Sequence, residues 1–103
     1  MDQIERIKRM EEISERSSLA IQNLTAALTE YEKIVKELKK LSDYYGSANW
    51  VRDYEDDEKG KFPADMKRGV LSEDGIYDIL MENREAVKLM GKLVDYNLSK
   101  EIM

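Results

Sequence analysis

Apolar residues recur every three or four positions from the start of the chain to its first glycine, Gly46. With Ile7 at position a of a heptad, most a and d positions up to residue 45 are apolar, and no Pro or Gly interrupts the pattern. We call the a and d positions from residue 7 to residue 38 the seam; its residues are Ile7, Met10, Ser14, Ser17, Ile21, Leu24, Leu28, Tyr31, Val35 and Leu38. The g positions Ile13, Ala20, Ala27, Ile34 and Leu41 widen this stripe. Such a face predicts a bundle helix over about residues 3–45, with Asp2 as its N-cap.

Three hydroxyl side chains interrupt the stripe where large residues are expected. Ser14 and Ser17 lie on the seam, and Ser18 lies beside it. They indicate a thin, closely packed or partly exposed section of the bundle. A kink or a polar site between helices is the alternative interpretation.

A second helical pattern occupies the end of the chain. Ile76, Leu80, Val87, Met90 and Val94 follow the same rhythm and predict a helix over about residues 73–100, with Ser72 as its N-cap.

Between the two patterns, Ser47 is positioned to N-cap a short helix over residues 48–58, with Trp50, Val51 and Tyr54 on one face. Pro63 favours an irregular connector over residues 59–71. The sequence therefore predicts an all-α fold in a single domain, residues 1–103: a long N-terminal helix, a short helix, an irregular connector and a long C-terminal helix in an up-and-down helical bundle.

The two long helices are predicted to differ in length, about 60 Å against about 42 Å at 1.5 Å per residue. The excess of the first helix can be covered by a second copy of the chain. The apolar residues at its exposed end would be Ile4, Ile7, Met10 and Ile13. We therefore expect a homo-oligomer, most simply a dimer.

Composition limits the available chemistry. The 103 residues include no Cys and no His, which excludes disulfides, thiolate chemistry and imidazole ligands. The net charge is −5 and basic residues form only a short patch, which argues against nucleic-acid binding. No stretch is apolar enough for a membrane span, and the charged N-terminal residues do not resemble a signal peptide. We expect a cytoplasmic protein without a cofactor and without a nucleic-acid or membrane partner.

Two acidic groups are candidate metal ligands. Glu11, Glu12 and Glu15 match half of the motif with which all-α nucleotide pyrophosphohydrolases hold Mg²⁺, but the second half is missing at the expected distance. Asp53, Asp56 and Asp57 lie in an acidic run without the spacing of a calcium-binding loop. The alternative is that both groups are solvated faces of helices.

Lys67, Arg68 and Ser72 form a candidate site for a small anion, because two cations precede the N-terminus of the last helix. The competing interpretation is that Lys67 and Arg68 pair with the acidic helix next to them and fix the connector.

Tyr44, Tyr45, Trp50 and Tyr54 surround one Gly-Ser turn, and we call these four residues the aromatic corner. Aromatic residues dominate interface hot spots, so the corner is a candidate interaction surface. The alternative is that these side chains fill the core of a small bundle.

The segments YYGS, WVRDYEDD and PADMKRGVLSED, together with the opening MDQIERIKRMEE, resemble a small family described as a domain of unknown function, DUF4298. The resemblance covers essentially the whole chain. It implies a small, helical, cytoplasmic protein found mainly in Gram-positive bacteria, with no assigned activity and no catalytic residues to transfer.

These observations favour a non-enzymatic helical interaction or adaptor module that self-associates and has an unidentified protein partner. A Mg²⁺-dependent nucleotide hydrolase and a binder of small anions are the alternatives.

Overall fold

The computed structural model describes residues 2–103 and contains three α-helices. They are α1 (Gln3–Tyr44), α2 (Ala48–Glu58) and α3 (Gly75–Ser99). A 3-10 helix, Gly69–Leu71, lies between α2 and α3, and the described residues contain no strand. The predicted all-α fold and the order of its elements are confirmed.

Local capping explains where α1 begins and ends. The carboxylate of Asp2 accepts a hydrogen bond from the backbone N–H of Glu5 at 2.7 Å, which confirms Asp2 as the N-cap. At the other end Gly46 has φ +77°, a left-handed conformation that suits glycine and ends the helix. The turn then leads into α2, where the Ser47 hydroxyl accepts a hydrogen bond from the Trp50 N–H at 3.1 Å.

The contacts within the chain divide it into two units, residues up to 39 and residues 40–103. The first unit is helical from Gln3 onwards, and every described residue from 2 to 30 is exposed to solvent. Its large apolar side chains are among the exposed ones, including Ile7 (53% exposed), Ile21 (61%) and Leu24 (52%). This unit therefore leaves the seam uncovered from Ile7 to Leu28, whereas Tyr31, Val35 and Leu38 are half-buried.

The second unit contains the buried residues. Leu71 in the 3-10 helix and Ile76 in the first turn of α3 are the buried hydrophobic residues of the described chain. Leu80 and Met81 in α3, and Phe62 in the connector, are half-buried. The core is small and lies where α3 meets the 3-10 helix.

A tight turn connects the 3-10 helix to α3. The Ser72 hydroxyl donates to the Gly69 carbonyl at 2.7 Å and accepts from the Gly75 N–H at 3.0 Å. The predicted N-cap Ser72 is wrong: the N-cap of α3 is Asp74, and the helix begins at Gly75 instead of residue 73, because the 3-10 helix and its closing turn take up the residues before it. A Cβ atom at position 75 would overlap the Gly69 carbonyl, so this turn requires glycine.

Within residues 2–103, none of the helices combines the length and apolar character needed to cross a bilayer.

The small core makes a testable prediction about stability. Ile76 is fully buried, so Ile76→Ala should lower the free energy of unfolding by about 2–4 kcal/mol through lost burial and a residual cavity. Ile79 is one turn away on the same helix and 43% exposed, so Ile79→Ala should lower it by less than half as much. Urea unfolding of both variants measures the difference, and equal losses would show that α3 does not bury the face containing Ile76.

Candidate functional site

The aromatic corner is assembled from the end of α1, the turn after it and α2. The rings of Tyr45 and Trp50 meet edge to face, with centroids 5.4 Å apart and planes at 74°. Tyr54 stacks on Trp50, with ring centroids 5.4 Å apart and planes at 24°. Trp50 and Tyr54 are four residues apart, so α2 places them on one face. All four residues of the corner are half-buried, which leaves part of each ring accessible to a partner.

Two hydrogen bonds fix the corner to distant parts of the chain. The Trp50 indole N–H donates to the Val70 carbonyl at 2.9 Å, and this bond ties α2 to the 3-10 helix. The Tyr45 hydroxyl donates to the Glu73 carbonyl at 3.4 Å, just before α3. The corner thus connects α2 to the 3-10 helix and to the residues before α3. Its rings therefore stabilise the fold and still have surface that a partner can contact.

Tyr44 makes the shortest polar contact of the corner. Its hydroxyl donates to a carboxylate oxygen of Asp53 at 2.6 Å. Burial, followed by the hydrogen bond and the negative charge of Asp53, raises the pKa of Tyr44 to about 12. Asp53 is therefore a hydrogen-bond partner of the corner, and one oxygen of this candidate metal ligand is already engaged.

Tyr54 lies in a negatively charged environment. The hydrogen bond to Glu58 and the charge of Glu58 raise the pKa of Tyr54, and Glu73, whose carboxylate oxygen lies 3.4 Å from the Tyr54 hydroxyl, adds to the increase. Carboxylates thus surround the hydroxyl edge of the corner, which would repel an anionic ligand from this edge.

The other acidic candidates are dispersed or paired. Glu11, Glu12 and Glu15 are exposed on α1, and Glu12 forms an ion pair with Arg9 at 3.4 Å. Asp56 pairs with Lys61 at 3.2 Å, and Asp57 pairs with Arg68 at 2.6 Å. Across the part of the chain that the structure describes, no three acidic side chains converge into a set that could hold a metal ion.

Two of the three candidate anion-binding residues before α3, Arg68 and Ser72, already have partners within the chain. Arg68 donates to Asp57 through a short, partly buried contact, which confirms that Arg68 pairs with the acidic helix. The Ser72 hydroxyl is occupied by the turn before α3, whereas Lys67 is exposed. An anion at this position would have to compete with Asp57 for Arg68.

A shallow, open depression of about 250 Å³ lies beside the corner. Its lining combines Tyr44, Asp53, Lys67 and Arg68 with apolar side chains of the connector and the 3-10 helix: Phe62, Met66, Val70 and Leu71. These apolar residues show no periodicity in the sequence. The only local signal was their position around Pro63.

The raised pKa of Tyr44 predicts a loss of stability in alkaline solution. The folded state keeps this hydroxyl protonated up to about pH 12, whereas the unfolded chain releases the proton near pH 10. Its contribution is therefore fully present below pH 10 and is lost as the pH rises towards 12. Tyr44→Phe should show a smaller decrease in the free energy of unfolding over this range than the wild-type protein.

Tyr77→Phe is the matched control, because Tyr77 is 50% exposed and lies in α3. Its pH profile should follow that of the wild type. Parallel profiles for wild type and Tyr44→Phe would show that the hydroxyl does not bind Asp53.

The Arg68–Asp57 pair predicts that two adjacent cations contribute differently to stability. Arg68→Ala should lower the free energy of unfolding by about 1–2 kcal/mol, because it leaves a partly buried Asp57 without its partner. Lys67→Ala should change it by less than about 0.5 kcal/mol, because this side chain is exposed. Thermal or urea unfolding checks both values, and equal effects would contradict a structural role for the pair.

Comparison with known proteins agrees with the resemblance noted in the sequence. No curated protein and no solved structure matches this chain. The model of one family, described as Domain of unknown function (DUF4298), matches residues 7–93, which include the whole seam, the whole aromatic corner and most of α3. The chain therefore belongs to the DUF4298 family.

Proposed function

We propose that this protein is a non-enzymatic helical interaction module that self-associates through the seam of α1. The observation that carries the proposal is the exposure of the seam in the single chain. Ile7, Met10, Ile21, Leu24 and Leu28 are each between 42% and 61% exposed, although they follow the periodicity of a buried face. A contiguous apolar surface of this kind is typical of a protein-binding site.

The charge distribution along α1 supports the same proposal. Charged residues make up 38% of the chain, yet residues 17–29 contain none. Exposed helices in water usually carry charged side chains around their polar face, whereas the centre of an interface is depleted of charge. The middle of α1 thus has the composition of an interface.

The free energy available from covering the seam is moderate. Full burial of a large apolar side chain contributes about 1.5–3 kcal/mol, and these side chains have about half of their surface left to bury. Each one then contributes about 1 kcal/mol, which must first offset the loss of translational freedom on association. We therefore expect a dimer whose population depends on protein concentration.

The aromatic corner is the second surface of the proposed module. It lies outside the seam and keeps its rings partly accessible, so a protein partner can bind there while two copies associate through α1. In keeping with the family resemblance, we place this adaptor in the bacterial cytoplasm. No observation in the structure favours the hydrolase or the anion binder over this module.

The proposal predicts that one charge on the seam prevents self-association. Ile21→Glu should shift the protein from dimer to monomer at tens of micromolar, because a carboxylate would be desolvated in an apolar interface. Analytical ultracentrifugation over a hundredfold range of concentration gives the mass and the dissociation constant.

Leu19→Glu is the matched control. Leu19 is 60% exposed and Ile21 is 61% exposed, and both lie in the uncharged stretch, but Leu19 is on the opposite side of the helix from the seam. This variant should keep the dimer. A monomeric wild-type protein at all concentrations, or equal effects of the two substitutions, would contradict the proposed interface.

A further inference from the structure

We infer that two copies of α1 pair in antiparallel orientation, with Ala20 of each copy near the twofold axis. This inference rests on the proposed self-association and adds its geometry. It commits to a second copy of this chain as the occupant of the seam. The argument comes from the sizes and charges of the exposed residues along α1.

A parallel pairing brings identical seam residues together. Ser14 would face Ser14 and Ser17 would face Ser17, which gives two adjacent layers of small polar side chains. Tyr31 would meet Tyr31 further along the same seam. Protein interfaces pack to the density of protein interiors, so voids at the serines and crowding at the tyrosines disfavour this arrangement.

An antiparallel pairing brings different residues together, because position a of one helix then faces position d of the other. One register matches each small residue with a large one. Its layers pair Ile7 with Tyr31, Met10 with Leu28, Ser14 with Leu24, and Ser17 with Ile21 of the second copy. The serines that interrupt the apolar pattern thus become the positions that receive large side chains, as knobs enter holes.

The positions that flank the seam agree with this register. At the twofold axis Ala20 lies beside Ala20 and Ser18 beside Ser18, so only small side chains separate the helices at their closest point. Glu11 lies opposite Thr25, and no like charges face each other across the seam. Charge and size are therefore both compatible with the second copy.

The neighbouring registers fit less well. A shift of one heptad in one direction places Glu11 opposite Glu32, and like charges repel in such flanking positions. A shift in the other direction places Ser14 opposite Ser17 and restores the gap in the seam. The inferred register also ends before Val35 and Leu38, which are already half-buried in the single chain.

The antiparallel arrangement has a consequence for function. The C-terminal ends of the two α1 helices point in opposite directions, so Lys40 of the two copies would lie about 63 Å apart along the axis. Each of these ends leads into one aromatic corner. Each copy contributes one aromatic corner, so the dimer could bind two partner molecules at once.

Disulfide trapping tests this geometry without interference, because the chain has no Cys. Met10→Cys and Leu28→Cys variants are purified separately, mixed under reducing conditions and then oxidised. The mixture should form a covalent dimer, since Met10 faces Leu28 of the second copy. Each variant alone should form none, because its two thiols lie about 27 Å apart and a disulfide requires Cα atoms within about 7 Å.

A second pair keeps the test independent of any one substitution. Ser14→Cys with Leu24→Cys replaces a serine by a residue of nearly equal size and should give the same result. The control is Glu12→Cys mixed with Ala26→Cys, which lie at matching heights on the outer face of the helices and should not cross-link.

The mass of each reduced mixture separates the failure of this inference from the failure of the proposed function. Monomeric wild type and variants would overturn both. A dimer in which Met10→Cys cross-links with itself would show a parallel pairing and overturn only the inference. A dimer that cross-links in neither designed mixture would overturn the inferred register.

Discussion

The structure depends on how little apolar surface one copy of the chain can bury. Leu71 and Ile76 are the buried hydrophobic residues within residues 2–103, and both belong to the second unit. The seam of α1 has the periodicity of a core element but is exposed along residues 2–30. Helical stability in proteins comes mostly from packing of an apolar face, and the seam of α1 lacks such packing within one copy of the chain. The proposed self-association follows from this deficit.

Polar contacts compensate for the small core in the second unit. The Trp50 indole reaches the Val70 carbonyl, and Arg68 reaches Asp57. These bonds connect α2 to the connector and the 3-10 helix, next to the small apolar core. A substitution at the aromatic corner will therefore disturb both the fold and any partner that binds there, and experiments at the corner need a measurement of stability beside the measurement of binding.

The helices were predictable from the sequence because their signals are local. Heptad spacing predicted the all-α fold, and the caps at Asp2 and Ser47 depend on residues within a few positions of the helix start. The partners of the corner were not predictable in the same way. Tyr44 finds Asp53 and Trp50 finds Val70 only after the chain has turned, and a backbone carbonyl leaves no trace in the residue pattern. The 3-10 helix also escaped prediction, and it explains why α3 starts at Gly75 instead of residue 73.

In the candidate site, too, the features with a local signal could be predicted, and those that form only on folding could not. Charge patterns predicted the pairing of Arg68 with the acidic helix, because opposite charges lie close in the sequence. The depression beside the corner depends on Phe62, Met66 and Val70, which are brought together by an aperiodic connector. The sequence shows that Ser14 and Ser17 interrupt the seam. Only the exposure of α1 on the same face indicates that these two positions could receive large side chains of a second copy.

The most direct test of this account is hydrogen–deuterium exchange of the intact protein at several concentrations. If a second copy covers the seam, amide protection in residues 7–31 should rise with protein concentration, because association suppresses opening of the helix. Protection in residues 75–99 should change little, since α3 includes Ile76 of the monomer core. Exchange in residues 7–31 that is equally fast at every concentration would contradict the account.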